Sequence, residues 1–145
     1  MITLSVCIMT ASYNEKRRKD VEILIRKLKP ESISKYCKDF QIISDWWKSG
    51  AWFTAKESWK RGMSMGATHH LVLQEDIDVC NDFLAVCHKI IRSKPDVILG
   101  LYANRKICEQ AQKEDIRWVE IPDGTWGQAI LMPTYQIDNF LTWEK

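Results

Sequence analysis

Short apolar segments alternate with amphipathic helical segments along the chain, and this alternation restricts the fold more than any other feature. Thr3–Met9 is apolar and β-branched and runs into a polar loop, as a buried strand does. Apolar residues then recur every three or four positions over about 16–29, before Pro30, which predicts a helix with one packed face. Further strands are predicted at 40–45, 70–74, 97–101, 117–121 and 128–132, further helices from 51 and after 82, and a loop at 104–115. This order predicts an α/β protein with a mostly parallel open sheet and helices on both faces.

Length and charge restrict the class of protein further. The 145 residues suffice for a single domain, 1–145, with its own core. A formal net charge of +2 is too small to indicate a nucleic-acid or membrane partner by itself. No apolar run approaches the roughly 20 residues that cross a bilayer, and the first residues lack the pattern of a signal peptide, so we expect a cytoplasmic protein without a membrane partner. The five cysteines lack the short paired spacing of a zinc site, and we expect free thiols.

Polar residues follow three of the predicted strands. The loop from Thr10 to Glu15 follows the first strand, Asp45 ends the second, and the cluster of Glu75, Asp76 and Asp78 follows the third. In open α/β sheets, ligands bind beyond the carboxyl ends of the strands. We therefore expect these three segments to form a binding site.

The acidic cluster indicates a counter-charge at that site. Carboxylates a few ångströms apart repel each other, so a positive group is expected beside Glu75, Asp76 and Asp78. Mg²⁺ and Mn²⁺ prefer carboxylate oxygens and leave positions for phosphate oxygens. The alternative is a solvated acidic turn, with one carboxylate capping the next helix.

The order of these landmarks resembles the family-2 glycosyltransferases with a GT-A fold. The matching features run over about residues 3–92: a Ser12-Tyr13-Asn14-Glu15 loop, the strand-end Asp45, a Leu71–Asp76 strand with acidic end, and a helix start at Asn81-Asp82-Phe83-Leu84. The resemblance implies a nucleotide-binding half at about 1–92 and an acceptor half at about 93–145.

The resemblance also implies roles for individual residues. Thr10, Ser12 and Asn14 would line the nucleotide pocket, Asp45 would bind the base, and Glu75 would reach the metal through water or contact the ribose. Asp76 would be the ligand of Mn²⁺ or Mg²⁺, with Asp78 as second choice. The register of the family's D-x-D motif stays open between Gln74-Glu75-Asp76 and Asp76-Ile77-Asp78. Lys56 either approaches the diphosphate or is a solvated helix residue.

The acceptor side is less well defined. The segment that contains Trp126 and Gly127 is similar to the part with which such enzymes bind the acceptor, and Trp126 either stacks on a ring or packs in the core. Inverting members use a late acidic residue as general base. Asp123 is the first candidate here and Asp138 the second. If neither serves, the chain is a truncated or inactive form.

The predicted function is transfer of a sugar from a nucleoside diphosphate sugar, with a UDP-sugar as the first choice, to an acceptor hydroxyl. The Thr68-His69-His70-Leu71-Val72-Leu73-Gln74 stretch is also similar to phage-encoded glycosyltransferase-like proteins, which makes a hydroxymethylated pyrimidine of phage DNA a candidate acceptor and the host cytoplasm the expected location. The alternative is a non-catalytic module that binds a nucleotide or nucleotide sugar. Neither the acceptor nor the oligomeric state follows from the sequence.

Overall fold

The computed structural model describes residues 1–102, 105–120 and 127–142. The strands are β1 (Leu4–Thr10), β2 (Cys37–Ser44), β3 (His69–Gln74), β4 (Leu99–Gly100) and β5 (Ala129–Pro133). The helices are α1 (Glu15–Leu28), α2 (Pro30–Tyr36), α3 (Ala51–Ser64), α4 (Phe83–Ser93), α5 (Arg105–Lys113) and α6 (Ile137–Thr142), with a 3₁₀ turn at Thr134–Gln136 before α6. Within these residues, no helix is long and apolar enough to cross a membrane.

The five strands form one mixed sheet in the order β2-β1-β3-β5-β4. β2, β1 and β3 are parallel, whereas β5 runs antiparallel to both β3 and β4. The α/β class is as predicted, but the expectation of a mostly parallel sheet is wrong in the second half. In the register, Met9 lies opposite Ile43 of β2 and Gln74 of β3, so the three parallel strands end together. We call this end of the sheet the carboxyl edge.

Helices cover both faces of the sheet, as the alternation predicts. Side chains of β1 alternate, with Leu4, Val6 and Ile8 in one core cluster and Cys7 and Met9 in another. The first cluster includes the buried residues Val21, Leu24, Leu28, Leu84, Cys87 and Ile91 of α1 and α4. The second includes Trp59 of α3 and Ile137 of α6. Because both faces of β1 are buried, this interior strand fixes the position of the carboxyl edge relative to the helices.

Two predicted elements of the second half are wrong. The polar stretch predicted as a loop contains α5. Residues 117–120 form no strand, and Ile121, the last residue of that predicted strand, lies outside the described residues. None of the strand pairings among the described residues includes 117–120, and β propensity alone does not form a strand.

Two side chains differ from the burial that their sequence positions predict. Trp52 is exposed, although its helical spacing from Trp59 predicts that it points inward, because α3 turns that side of its first turn to solvent. His69 and His70 are both buried, although alternation along a strand predicts one packed and one exposed side chain. The sheet is covered on both faces, so adjacent residues of β3 each find polar partners: His69 contacts the Pro95 carbonyl oxygen, and His70 contacts the Ser5 hydroxyl at 2.8 Å. The cysteines are free thiols.

Candidate functional site

A cleft of about 290 Å³ opens at the carboxyl edge of β1, β2 and β3. It is lined by Met9, Thr10, Ala11, Tyr13, Asn14, Arg17, Asp45, Gly50, Ala51, Thr54, Gln74, Glu75 and Asp76. The structure thus brings together five of the residues selected from the sequence: Thr10, Asn14, Asp45, Glu75 and Asp76. They meet because parallel strands of equal register end at one edge.

The last residue of β1 brings an unsatisfied hydroxyl to the cleft. Thr10 is only 3% exposed, and its Oγ1 has no hydrogen-bond partner among the described residues. A buried hydroxyl without a partner costs about 1–3 kcal/mol in protein mutational data. Because Thr10 also lines the cleft, its hydroxyl is a candidate partner for a ligand atom bound there.

Asp45 shapes the wall formed by the loop between β2 and α3. Its Oδ1 accepts hydrogen bonds from the backbone N–H groups of Trp47 and Ser49, at 3.1 and 3.0 Å, and its Oδ2 accepts one from Gly50 at 3.0 Å. The bond from Ser49, with those from Gly50 and Trp47, holds the pKa of Asp45 below its usual value against the opposing effect of burial. Asp45 therefore stays ionised and holds the loop against the cleft.

Arg17 of α1 is the counter-charge that the acidic cluster requires. Its Nη1 lies 2.6 Å from Oδ2 of Asp76 and 3.3 Å from Oε1 of Glu75. Glu75 is buried, and its Oε1 also lies 3.5 Å from the backbone nitrogen of Ala11. The group places one cation and two carboxylates on one wall of the cleft.

Asp78 is directed away from this group. Its carboxylate lies 2.6 Å from Nζ of Lys27, is 79% exposed and is not part of the cleft lining. The hydrogen bond from Lys27 and the positive charge of Lys27 lower the pKa of Asp78. The part of the chain that the structure describes contains no group of three or more His, Cys, Asp or Glu side chains arranged to hold a metal ion. The donor set at the cleft is Glu75 and Asp76, and two carboxylates fit Mg²⁺ or Mn²⁺ when phosphates and water supply the other ligands.

Two helices begin at the cleft. Asn14 caps α1, and its Oδ1 accepts a hydrogen bond from the backbone N–H of Lys16 at 2.9 Å. Gly50 precedes α3 without a side-chain cap and adopts a φ of +100°, which favours glycine. Each helix has 14 residues. The partial positive charges of two helix N-termini favour an anion between them.

Other predicted nucleotide-binding residues lie next to the cleft without lining it. Ser12 is buried, and its carbonyl oxygen accepts a hydrogen bond from Arg18. Lys56 lies on α3 with its Nζ 4.9 Å from the ring centre of Trp52, and it is not among the lining residues.

The acceptor candidates are divided between the two ends of the sheet. The backbone N–H of Gln74 donates to the carbonyl oxygen of Gln128 at 2.8 Å, so Gly127 lies at the carboxyl edge. Asp138 lies near the opposite edge, because β5 runs away from the cleft before α6 begins. Asp123 and Trp126 lie outside the described residues.

Arg17 is a cleft residue to which no sequence motif assigned a role at the site, whereas Tyr13 lies in the Ser12-Tyr13-Asn14-Glu15 loop that the sequence predicts there. The run Lys16-Arg17-Arg18-Lys19 has the pattern of a solvated basic patch, and two of its members do form local pairs, Lys16 with Asp20 and Lys19 with Glu15. The available signal was the acidic cluster itself, which requires a cation but does not say which one.

Comparison of the chain with protein families, with curated proteins and with solved structures gave no match. What the cleft binds must therefore be inferred from its own geometry and from the sequence resemblance.

Proposed function

We propose that the protein binds a nucleoside diphosphate sugar in the carboxyl-edge cleft and transfers the sugar to an acceptor hydroxyl. The observation that supports this most directly is the Thr10 hydroxyl, which is buried without a partner among the described residues in a residue that lines the same cleft as Arg17. A phosphate oxygen would accept hydrogen bonds from both groups.

The N-termini of α1 and α3 support a diphosphate as the anion. Asn14 and Ala51, at the starts of these helices, line the same cleft. Phosphate groups bind at helix N-termini because of the backbone N–H groups and the helix dipole. Two such ends and one guanidinium suit a ligand with two linked phosphates better than a single carboxylate.

The charges at the cleft support a divalent cation as a further component. Arg17 is paired with both Glu75 and Asp76, which leaves this group with a net charge of −1. A diphosphate brings about two more negative charges, which would repel the carboxylates. Glu75 and Asp76 would hold Mg²⁺ or Mn²⁺, and this cation would neutralise negative charge on the diphosphate. Asp78, paired with Lys27, takes no part in this proposal.

The nucleoside would lie between the β1–α1 loop and the loop that Asp45 holds. Tyr13 and Asn14 line one side of the cleft, and Gly50 lines the other. Oδ2 of Asp45 has one backbone hydrogen bond, and a base N–H would compete with the Ser49 side chain for the remaining position on the carboxylate. A uracil ring offers such a donor, which is why a UDP-sugar remains the first choice.

The transfer itself would form one C–O bond and break another. The acceptor oxygen attacks the anomeric carbon, the bond from that carbon to the diphosphate breaks, and the nucleoside diphosphate leaves with the electron pair. The acceptor proton passes to a general base, for which Asp123 is the remaining candidate. Asp138 is not proposed, since it lies near the opposite edge of the sheet.

The position of Asp138 also favours the second candidate function, a module that binds the nucleotide without transferring the sugar. Incubation with UDP-, GDP- and dTDP-sugars, followed by measurement of released nucleoside diphosphate, separates the two functions. We expect release from one donor in the presence of Mn²⁺. Tight binding of a donor without release or transfer from any of them would support the module instead, and no binding of any donor would reject both functions.

A further inference from the structure

Exposed aromatic side chains are concentrated beside the cleft. Tyr13 lies on the β1–α1 loop, Trp46 and Trp47 follow Asp45, and Trp52 and Phe53 lie in the first turn of α3. All five are exposed, and Trp47 is 89% exposed. We call these five residues the aromatic rim. Large aromatic side chains normally contribute to a core, so five on the surface around one loop indicate a binding surface.

Each side of the rim carries a cation next to a ring. Nζ of Lys48 lies 5.5 Å from the ring centre of Tyr13, and the guanidinium carbon of Arg18 lies 5.7 Å from that of Trp46. As described above, Lys56 lies over Trp52. A charged ligand with a planar group could therefore stack on one of these rings while the flexible cation beside it moves to pair with the ligand's negative charge.

This combination selects among polymers. A neutral oligosaccharide can stack on aromatic rings, and a lysine or arginine beside them offers it hydrogen bonds to hydroxyl groups but no charge pairing. A single-stranded nucleic acid presents a flat base and a negative phosphate in every unit, and proteins bind it with aromatic rings and cations together. The net charge of the whole chain is only +2, so the cations matter by their location beside the rings and not by their number.

We infer that the aromatic rim binds a single-stranded nucleic acid that runs past the mouth of the cleft. The bases stack on Trp46, Trp47 and Trp52, and the phosphates contact Arg18 and Lys48. The inference deepens the proposed function and in that part rests on it, because a strand held here would present the acceptor hydroxyl to the bound sugar.

The test is fluorescence anisotropy of a labelled oligothymidylate, titrated with the full chain over a range of salt concentrations. We expect salt-dependent binding that Trp47→Ala weakens about five-fold or more, as loss of one base–aromatic stack does. Lys48→Gln should reduce the slope of log affinity against log salt by about 0.7, the value for one phosphate contact on a single strand. Neither substitution removes a buried side chain, so both variants should fold.

A matched pair on another surface provides the control. Trp118 is exposed, with Nζ of Lys94 at 5.5 Å from its ring centre, and Lys94 precedes Pro95 near the opposite edge of the sheet. Trp118→Ala and Lys94→Gln should leave oligothymidylate binding unchanged. Equal losses in the rim variants and the control variants would overturn the inference, and so would absence of binding.

Two further probes distinguish other ligands. The probes are maltoheptaose, which represents a sugar polymer, and vesicles of phosphatidylcholine and phosphatidylglycerol, which represent a membrane. If the protein binds one of these probes through Trp47 but does not bind oligothymidylate, the rim is assigned to that class of ligand and the inference is rejected. Binding of UDP, GDP and dTDP with Mn²⁺, measured by calorimetry on the same protein, tests the cleft separately. Oligothymidylate binding without binding of any of the three nucleotides would support the rim and reject the proposed function, and nucleotide binding without oligothymidylate binding would reject only the rim.

Discussion

Replacement of Thr10 by valine should make the protein more stable and should lower the affinity of the cleft for UDP. Valine has nearly the same shape as threonine and suits a strand, but it lacks the hydroxyl whose Oγ1 is buried without a partner among the described residues. Since an unsatisfied buried hydroxyl costs about 1–3 kcal/mol, Thr10→Val should raise the free energy of unfolding by about 1–2 kcal/mol. For a chain of this length, that corresponds to a rise in Tm of roughly 3–8 °C.

The same substitution removes a donor to the ligand. A hydrogen bond to a charged group contributes about 1.5–3 kcal/mol, so the affinity for UDP should fall roughly ten- to a hundred-fold. Urea denaturation and calorimetric titration of UDP with Mn²⁺ measure the two effects. Gain of stability with loss of affinity is the expected combination.

Thr54 provides the control, because it is also buried and also lines the cleft. Its hydroxyl donates to the carbonyl oxygen of Gly50 at 3.2 Å, so it is already satisfied. Thr54→Val should leave the free energy of unfolding unchanged or lower it by up to about 1 kcal/mol. If Thr10→Val is destabilising, or if it binds UDP as tightly as the unsubstituted protein, the assignment of the Thr10 hydroxyl to a ligand is refuted.

Two further predictions concern the buried contact between α3 and β3. Burial lowers the pKa of His70 from 6.5 to about 4. As the pH falls, this histidine is therefore protonated in the unfolded chain before it is protonated in the folded protein. The free energy of unfolding should decrease by roughly 3 kcal/mol between about pH 6.5 and pH 4. Urea denaturation at pH 7 and pH 4.5 measures this, and equal midpoints would contradict it. A methyl group on Gly62 would overlap the ring of His70, so Gly62→Ala should lower the free energy of unfolding by about 1–3 kcal/mol despite the better helix propensity of alanine. An unchanged or higher Tm for this variant would show that α3 can move away from β3.

The first half of the fold follows from local patterns in the sequence. The apolar run of β1, the helical spacing before Pro30 and the apolar run of β3 each specify an element without reference to the rest of the chain. Strand–helix–strand units of this kind form parallel pairs, which predicts that Thr10, Asp45 and Glu75 end at one edge. The structure has this arrangement.

The second half depends on contacts that local patterns do not encode. A strand pattern at 128–132 is the same whether the strand runs parallel or antiparallel, and the structure has β5 antiparallel to β3. The polar composition of α5 is compatible with a loop or with a solvated helix. Direction and partner are set by the packing of the whole sheet, for which the sequence offers no short-range signal.

The composition of the cleft shows the same limit. The acidic cluster predicts a nearby cation, but Arg17 and Asp76 are 59 residues apart and Lys27 and Asp78 are 51 apart. These pairs divide the cluster, with Asp76 at the cleft and Asp78 outside it. Sequence spacing treats Asp76-Ile77-Asp78 as one motif, whereas the fold gives its two carboxylates different partners. Trp52 shows the same limit. Helical spacing predicts which face of α3 packs inward, but it does not predict that the first turn of the helix, which contains Trp52, lies outside the core.

The division of the acidic cluster allows one direct test of the central claim, which is that the carboxyl-edge cleft binds a nucleoside diphosphate with a divalent cation. Calorimetric titration of UDP with Mn²⁺ should be compared in the unsubstituted protein, in Asp76→Asn and in Asp78→Asn. We expect Asp76→Asn to weaken binding about ten-fold or more and Asp78→Asn to leave it unchanged. If the unsubstituted protein binds none of UDP, GDP and dTDP, or if all three proteins bind the nucleotide with equal affinity, the central claim is contradicted.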